Sequence, residues 1–366
     1  MKIAMVGQFP PHIGGVGVHI HSLAKELVKK QDEVFVITYP HKNIKDIDGI
    51  HVFGTFGVNI AGLRSLFFAF FGTIQLIRII RKYNIDIIHG HYLFPSGLVA
   101  VLAGIFTKKK VYVTSHGSDM FCLYSKHKFI RPLLKFVLNR ADAVLVVSEA
   151  IKKEVLNLNI RNMKNKIKIN WNTVDIEKFQ PNDNNDFKNE LKIKNKPIIL
   201  FVGNIIKRKN VATLIDAKKL VKEDCTLVIV GNGPLLNSLK SKVEDEKIND
   251  VLFTGAREDI EEIIPSSDVL ILPSYSESFG LVLIEALACG KPVIGSNVGG
   301  IKEIITEDVG LLVEPTSAEK LANAIDLILS NNEIKEKFQS NARKRAIDFS
   351  KIEIPYDEHF DNTKKS

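Results

Sequence analysis

The order of elements predicts an α/β protein built from two tandem domains, each an open, doubly wound parallel sheet. Three observations carry that expectation. Short β-rich runs alternate with longer helical patterns along the chain. The strand runs are almost continuously apolar, as strands covered on both faces are. The alternation breaks once, at the polar Asn- and Lys-rich stretch 181–196, and restarts at Pro197. The 366 residues also suit two domains, at roughly 100–200 residues each. The expected divisions are an N-terminal Rossmann-like domain over 1–180, a C-terminal one over 181–348, and a crossover or tail over 349–366.

In the first half, strands are expected at 2–8, 33–38, 86–90, 110–115 and 143–148, with helices at 18–30, 63–82, 96–106 and 129–139. In the second, strands are expected at 197–203, 225–231, 251–255, 268–273, 291–295 and 310–315, with helices at 211–221, 235–247, 281–288 and 318–329. Pro355 is expected to interrupt any helix of the tail. Ligands of such sheets bind beyond the carboxyl ends of the strands. With two such domains, the expected active site is a cleft that both face.

Composition narrows the function classes. Hydrophobic residues make up 45% and charged residues 25% of the chain, which excludes disordered, collagen-like and disulfide-scaffold proteins. The three cysteines, 122, 225 and 289, form no C-x2-C pair, so no structural zinc site is expected and a reducing, cytoplasmic compartment is. No apolar run approaches the roughly 20 residues that span a bilayer. Residues 1–175 hold 24 Lys+Arg against 11 Asp+Glu, and residues 176–366 hold 26 against 31. The first half is therefore at +13 and the second at −5, which points to an anionic partner for the first half alone.

Four motifs lie where strands hand over to helices. Gly14-Gly15-Val16-Gly17 follows the first strand, but Ile20 stands where a dinucleotide fingerprint needs its third glycine. His116-Gly117-Ser118-Asp119 follows the strand 110–115; it reads as a cleft-facing histidine or as a turn in which Asp119 caps the next helix. Gly203-Asn204 leads into Lys207-Arg208-Lys209, three cations at a strand's carboxyl end, suited to a diphosphate and equally to a solvated basic loop. The fourth runs from Glu277 through Ser278-Phe279-Gly280-Leu281 to Glu285. A helix starting there presents free N–H groups and a favourable dipole to phosphate. Glu285 then lies about 6–8 Å further along the axis, the offset from a diphosphate to a ribose. An ionised carboxylate there can accept from both hydroxyls of a vicinal diol.

Absences matter as well. There is no phosphate-binding loop of the G-x4-G-K-[ST] type, and the only D-x-D, Asp46-Ile47-Asp48, does not follow an apolar strand. His89 and His91 have no carboxylate or cysteine near them in sequence. No metal site and no cofactor are expected.

These motifs, with Gly231-Asn232-Gly233-Pro234, Val298-Gly299-Gly300-Ile301-Lys302-Glu303 and Gly310-Leu311-Leu312-Val313, resemble the family 4 retaining glycosyltransferases of the GT-B fold, in order and over nearly the whole chain. The resemblance implies a nucleotide-sugar donor, a UDP-sugar first among them, held mainly by the second domain. A glycan or lipid-linked acceptor would sit mainly on the first. It implies His116, Glu277 and Lys209 as catalytic residues: His116 and Glu277 on the transferred sugar, Lys209 on the diphosphate. Donor binding would add Gly15, Gly17, Gly203, Asn204, Arg208, Gly231 and Arg257, the stretch Ser278, Phe279, Gly280 and Leu281, and Glu285 on the ribose. Asn204 stands where the family often has Arg, and Asn210 where it often has Gly.

Competing readings are a nucleotide-sugar 2-epimerase of the same fold, an NAD-dependent dehydrogenase lacking its fingerprint, and a nucleic-acid binder lacking any recognised motif. The basic first half suggests a peripheral site on the inner face of the cell membrane. Lys108, Lys109, Lys110, Lys126, Lys128 and Arg131 bracket the His116 turn, and Phe67, Phe68, Phe70 and Phe71 crowd one helix. The same helix could instead be a buried crossover.

Overall fold

The structure is a computed structural model that describes residues 1–12, 14–56, 64–124, 128–182, 186–193 and 196–356. The chain divides into two compact units. The first is Met1–Asn172 together with the chain from Ile352 onward, and the second is Thr173–Lys351.

The first unit holds a seven-stranded parallel sheet. Its strands are β1 (Lys2–Val6), β2 (Glu33–Thr38), β3 (His51–Gly54), β4 (Ile87–His91), β5 (Lys110–Ser115), β6 (Ala143–Val146) and β7 (Ile167–Ile169). The order β3-β2-β1-β4-β5-β6-β7 reverses direction between β1 and β4. The helix Gly15–Lys29 buries Ile20, Leu23, Ala24 and Leu27, an i, i+3, i+4, i+7 stripe, against this sheet.

The second unit repeats the plan with six parallel strands: β8 (Ile198–Val202), β9 (Thr226–Val230), β10 (Val251–Gly255), β11 (Val269–Leu272), β12 (Val293–Ser296) and β13 (Gly310–Val313). Their order is β10-β9-β8-β11-β12-β13, so the reversal falls between β8 and β11. In each unit the crevice beyond the carboxyl ends at that reversal is where such sheets take ligands.

The doubly wound class holds, with additions at the edges. Sequence reading found neither β3 nor β7. Both are short edge strands, and β7 is Ile-Lys-Ile inside a lysine-rich tract, the charged kind of edge that resists pairing with another chain. The helix Asn332–Ile347 was also missed. It is polar nearly all round, and only Phe338, Ala342 and Ala346, spaced i, i+4, i+8, are buried. Asn331 caps it by accepting from the Ile334 N–H.

The expected boundary at 180/181 also shifts. The second unit begins at Thr173, because Val174 bonds to the Phe349 carbonyl and Arg343 donates to the carbonyls of Ile176, Phe179 and Ala288. The tail is not an appendage. Ile354 and Tyr356 are buried in the first unit's core with Ile3, Met5, Val34, Ile87 and Tyr112. Ahead of Pro355 the chain is already non-helical from Ile352.

Candidate functional site

In the second unit, two loops flank the strand reversal and carry most of the expected donor residues. After β8 the chain turns through Gly203 and Asn204 into a tight turn, Lys207–Lys209. After β11 it runs through Ser274 and Glu277 to Gly280, which opens the helix Leu281–Ala288. Gly280 has φ +115°, where a side chain is strained.

The loops are tied by Glu277. Its carboxylate accepts from Lys209 Nζ at 2.5 Å, from Arg208 at 3.1 Å and from Ser274 Oγ at 3.3 Å. Arg208 also donates to the Ser276 carbonyl at 2.9 Å. Burial opposes ionisation of Glu277, but the charges of Lys209 and Arg208 outweigh it and hold the carboxyl below its usual range.

Backbone contacts fix the stretch 277–279 from the other side. Gly300 N–H donates to the Glu277 carbonyl, and a Cβ on Gly299 would fall 1.9 Å from that oxygen. Only glycine allows this approach. Phe279 is fully buried against Phe349, so what it can offer a ligand is backbone.

Glu285 lies on the second turn of that helix. Burial pushes its carboxyl up to about 7, with Lys178 opposing and the neighbouring Glu261 reinforcing the shift. Lys178 binds Glu261 Oε1 at 3.0 Å, while Glu261 Oε2 is buried with no hydrogen-bond partner. No sequence motif marks Glu261 or Lys178.

Two expected donor residues have other engagements. A Cβ on Gly231 would fall 1.9 Å from the Gly203 carbonyl, so this glycine lets the β8 and β9 loops pack backbone to backbone. The Arg257 guanidinium is held by Glu190 at 2.5 Å and Asp259 at 2.6 Å, and those pairs must give way before it can meet a base. Asn204 is exposed. Asn210, at φ +55°, does what glycine cannot. Its amide donates to the carbonyls of Pro273 and Pro315 and accepts from Thr213, joining three loops. Asparagine is among the few residues that tolerate this left-handed conformation.

His116, Gly15 and Gly17 belong to the first unit. Gly15 is the first residue of the helix after β1, and Gly17 is buried close to the carbonyls of Gln8 and His12. His116 directly follows β5. Asp119 orders its turn by accepting from Ser115 Oγ, Gly117 N–H, Met120 N–H and Leu93 N–H, all at 2.7–3.1 Å. Burial raises the Asp119 carboxyl, and these bonds oppose the shift. His91, at the end of β4, lies beside His116 with Nδ1 and Nε2 at 3.4 Å, and His19 stacks edge-on against both. His89 faces the core, bonded to Tyr356 Oη at 2.5 Å and Thr114 Oγ1 at 2.7 Å. Sequence reading overlooked His19, which only the parallel register of β1, β4 and β5 brings to the other two.

The family profile of Glycosyltransferase Family 4 matches residues 13–178, and that of Glycosyl transferases group 1 matches residues 182–345. The chain is 31% identical to the N-acetyl-alpha-D-glucosaminyl L-malate synthase of Bacillus anthracis, over 91% of this chain and 89% of that protein. It belongs to the family 4 glycosyltransferases. A second family relative, a glycosyltransferase of Methanocaldococcus jannaschii, is 31% identical over 94% of this chain and 93% of its own. Sucrose-phosphate synthase from Thermosynechococcus elongatus superposes with a TM-score of 0.82 at 23% identity, covering 95% of this chain and 94% of that one. Anabaena HepE, solved in complex with UDP-glucose, superposes at 0.83 and 21%, covering 96% of both chains. These two likenesses establish the GT-B fold. The relatives named are transferases, and the epimerase reading finds no support among them.

Proposed function

We propose that this glycosyltransferase moves a sugar from a nucleotide-sugar, first a UDP-sugar, to a glycan or lipid-linked acceptor with retention of anomeric configuration. One observation carries the reading: Lys209, Arg208 and Glu277 converge beside the start of the helix that bears Glu285. A diphosphate arriving there draws the two cations from Glu277 and meets the free N–H groups of the helix. Charge that develops on the departing diphosphate is then stabilised without a metal. Glu277, released, accepts from hydroxyls of the transferred sugar, and Glu285 accepts from the ribose diol one turn along the helix. His116 is assigned to the transferred sugar by its family motif alone. No side chain is assigned as a nucleophile.

Calorimetry with UDP-, GDP- and ADP-sugars on the purified protein tests the donor, and product anomer analysis tests retention. Tight binding of a UDP-sugar with an unchanged isotherm in EDTA supports the reading. Binding of none of the three overturns it.

The acceptor reading rests on a surface of the first unit. The helix Arg64–Tyr83 buries Phe68, Leu76 and Ile79 but turns Leu66, Phe70 and Ile74 outward, an i, i+4, i+8 stripe. Phe70 is 63% exposed, as is Phe106 at 66% on the neighbouring helix Leu98–Thr107, just before Lys108 and Lys109. Aromatic groups flanked by basic residues suit an anionic bilayer surface, with about 1 kcal/mol from each lysine near it. We therefore place the enzyme on the cytoplasmic face of a membrane. Lys126, one of the six basic residues expected there, lies outside the described residues. No helix among the described residues is long and apolar enough to cross a membrane.

A further inference from the structure

We propose that His19, His91 and His116 form a binding site for one divalent transition-metal ion of the zinc type. One imidazole nitrogen of each lies within 4.8 Å of the others. The three come from different elements at the strand reversal of the first unit: the helix after β1, the end of β4 and the turn after β5. The His91 Nδ1 to His116 Nε2 distance, 3.4 Å, already suits two ligands of one ion; tetrahedral zinc with bonds of about 2.0–2.1 Å sets its ligands about 3.3 Å apart. His19, on the helix after β1, supplies the third nitrogen.

The donor set selects the ion. Three imidazoles without a carboxylate suit zinc, nickel or copper and not magnesium or calcium. Asp119 fixes the His116 turn through Ser115 and Gly117, as outer-shell groups fix a ligand. The fourth position stays open to water or a substrate oxygen.

A kinetic consequence rests on the reading of His116 given above. An ion held by His116 takes that imidazole from the sugar, so zinc inhibits transfer.

The test uses full-length protein without a histidine tag, stripped with EDTA, dialysed against micromolar Zn2+ and assayed by elemental analysis. One equivalent is expected, with Co2+ giving the absorption bands of a tetrahedral site. His19→Ala should weaken binding at least tenfold, His19→Cys should restore it because a thiolate is also a zinc ligand, and exposed His41→Ala should leave it unchanged. No retained metal, or equal loading of His19→Ala and the wild type with both folded by circular dichroism, overturns the site. One bound zinc with unimpaired transfer supports the site and overturns the sugar role of His116 instead.

Discussion

Lys209 Nζ lies 2.5 Å from Glu277 Oε2, joining the loop after β8 to the loop after β11 across the strand reversal of the second unit. The residues are 68 positions apart in sequence, and both are largely buried. A cation and an anion kept this close hold each other's charge ready. In the proposed donor complex, an arriving diphosphate would draw the cation away and leave the carboxylate free for sugar hydroxyls.

Lys209→Ala should therefore cut turnover by about 100–1,000-fold, the usual effect of removing one group that stabilises developing charge. Arg208 and Ser274 still hold Glu277, so the melting temperature should move little. Steady-state kinetics beside a thermal melt checks this. A Lys209→Ala protein with wild-type turnover sinks the assignment.

Glu285 gives a prediction with a sign. Its folded carboxyl titrates at about 7, above the ordinary glutamate range. Between that range and 7 the folded state holds a proton that the unfolded state has released, so stability falls as pH rises through this window. Glu285→Gln removes the dependence. Its melting temperature should gain on the wild type at pH 8 and not at pH 4. In donor titrations Glu285→Ala should lose roughly 1–3 kcal/mol by leaving ribose hydroxyls unpaired. Equal donor affinity in both proteins refutes the ribose role.

Tyr356 ties the C-terminal segment to the first unit's sheet through His89. Tyr356→Phe leaves His89 Nδ1 buried and unpaired, at a cost of about 1–3 kcal/mol. Tyr356→Ala adds a cavity and should cost about 3–5 kcal/mol, as large aromatic truncations do. Urea unfolding midpoints measure both, and a neutral Tyr356→Ala contradicts the observed packing.

Membrane docking can be separated from folding. Phe70 is mostly exposed, so Phe70→Ser should leave the melt unchanged while weakening co-sedimentation with anionic vesicles. Replacing Lys108–Lys110 with Ser should weaken it further, and salt should do the same to the wild type. A wild-type protein that stays in the supernatant at low salt makes a soluble acceptor the better reading.

Local chemistry made much of this legible. The apolar runs at β1, β4, β5, β8, β9 and β11 carry their own β signal, because strands covered on both faces need no alternation. Glu277 and Glu285 stand out because a helix start between them turns a spacing of eight residues into a distance. Elements stabilised mainly by their neighbours were not legible. The helix Asn332–Ile347 shows a stripe of only three buried residues, and β7 is three residues long.

The sequence by itself determined the class of each unit, the order of its main strands and the family, since these rest on local periodicity and contiguous motifs. Only the tertiary structure decided which side chains meet. Lys209 with Glu277, Asn210 with Pro315, Lys178 with Glu261, His19 with His116 and His89 with Tyr356 are separated by 68 to 267 residues. Lys209–Glu277 and Asn210–Pro315 follow from parallel strand order, which brings distant carboxyl ends to one edge of a sheet, while the other pairs follow from how helices, loops and the C-terminal segment pack; nothing in the sequence near either partner encodes the other.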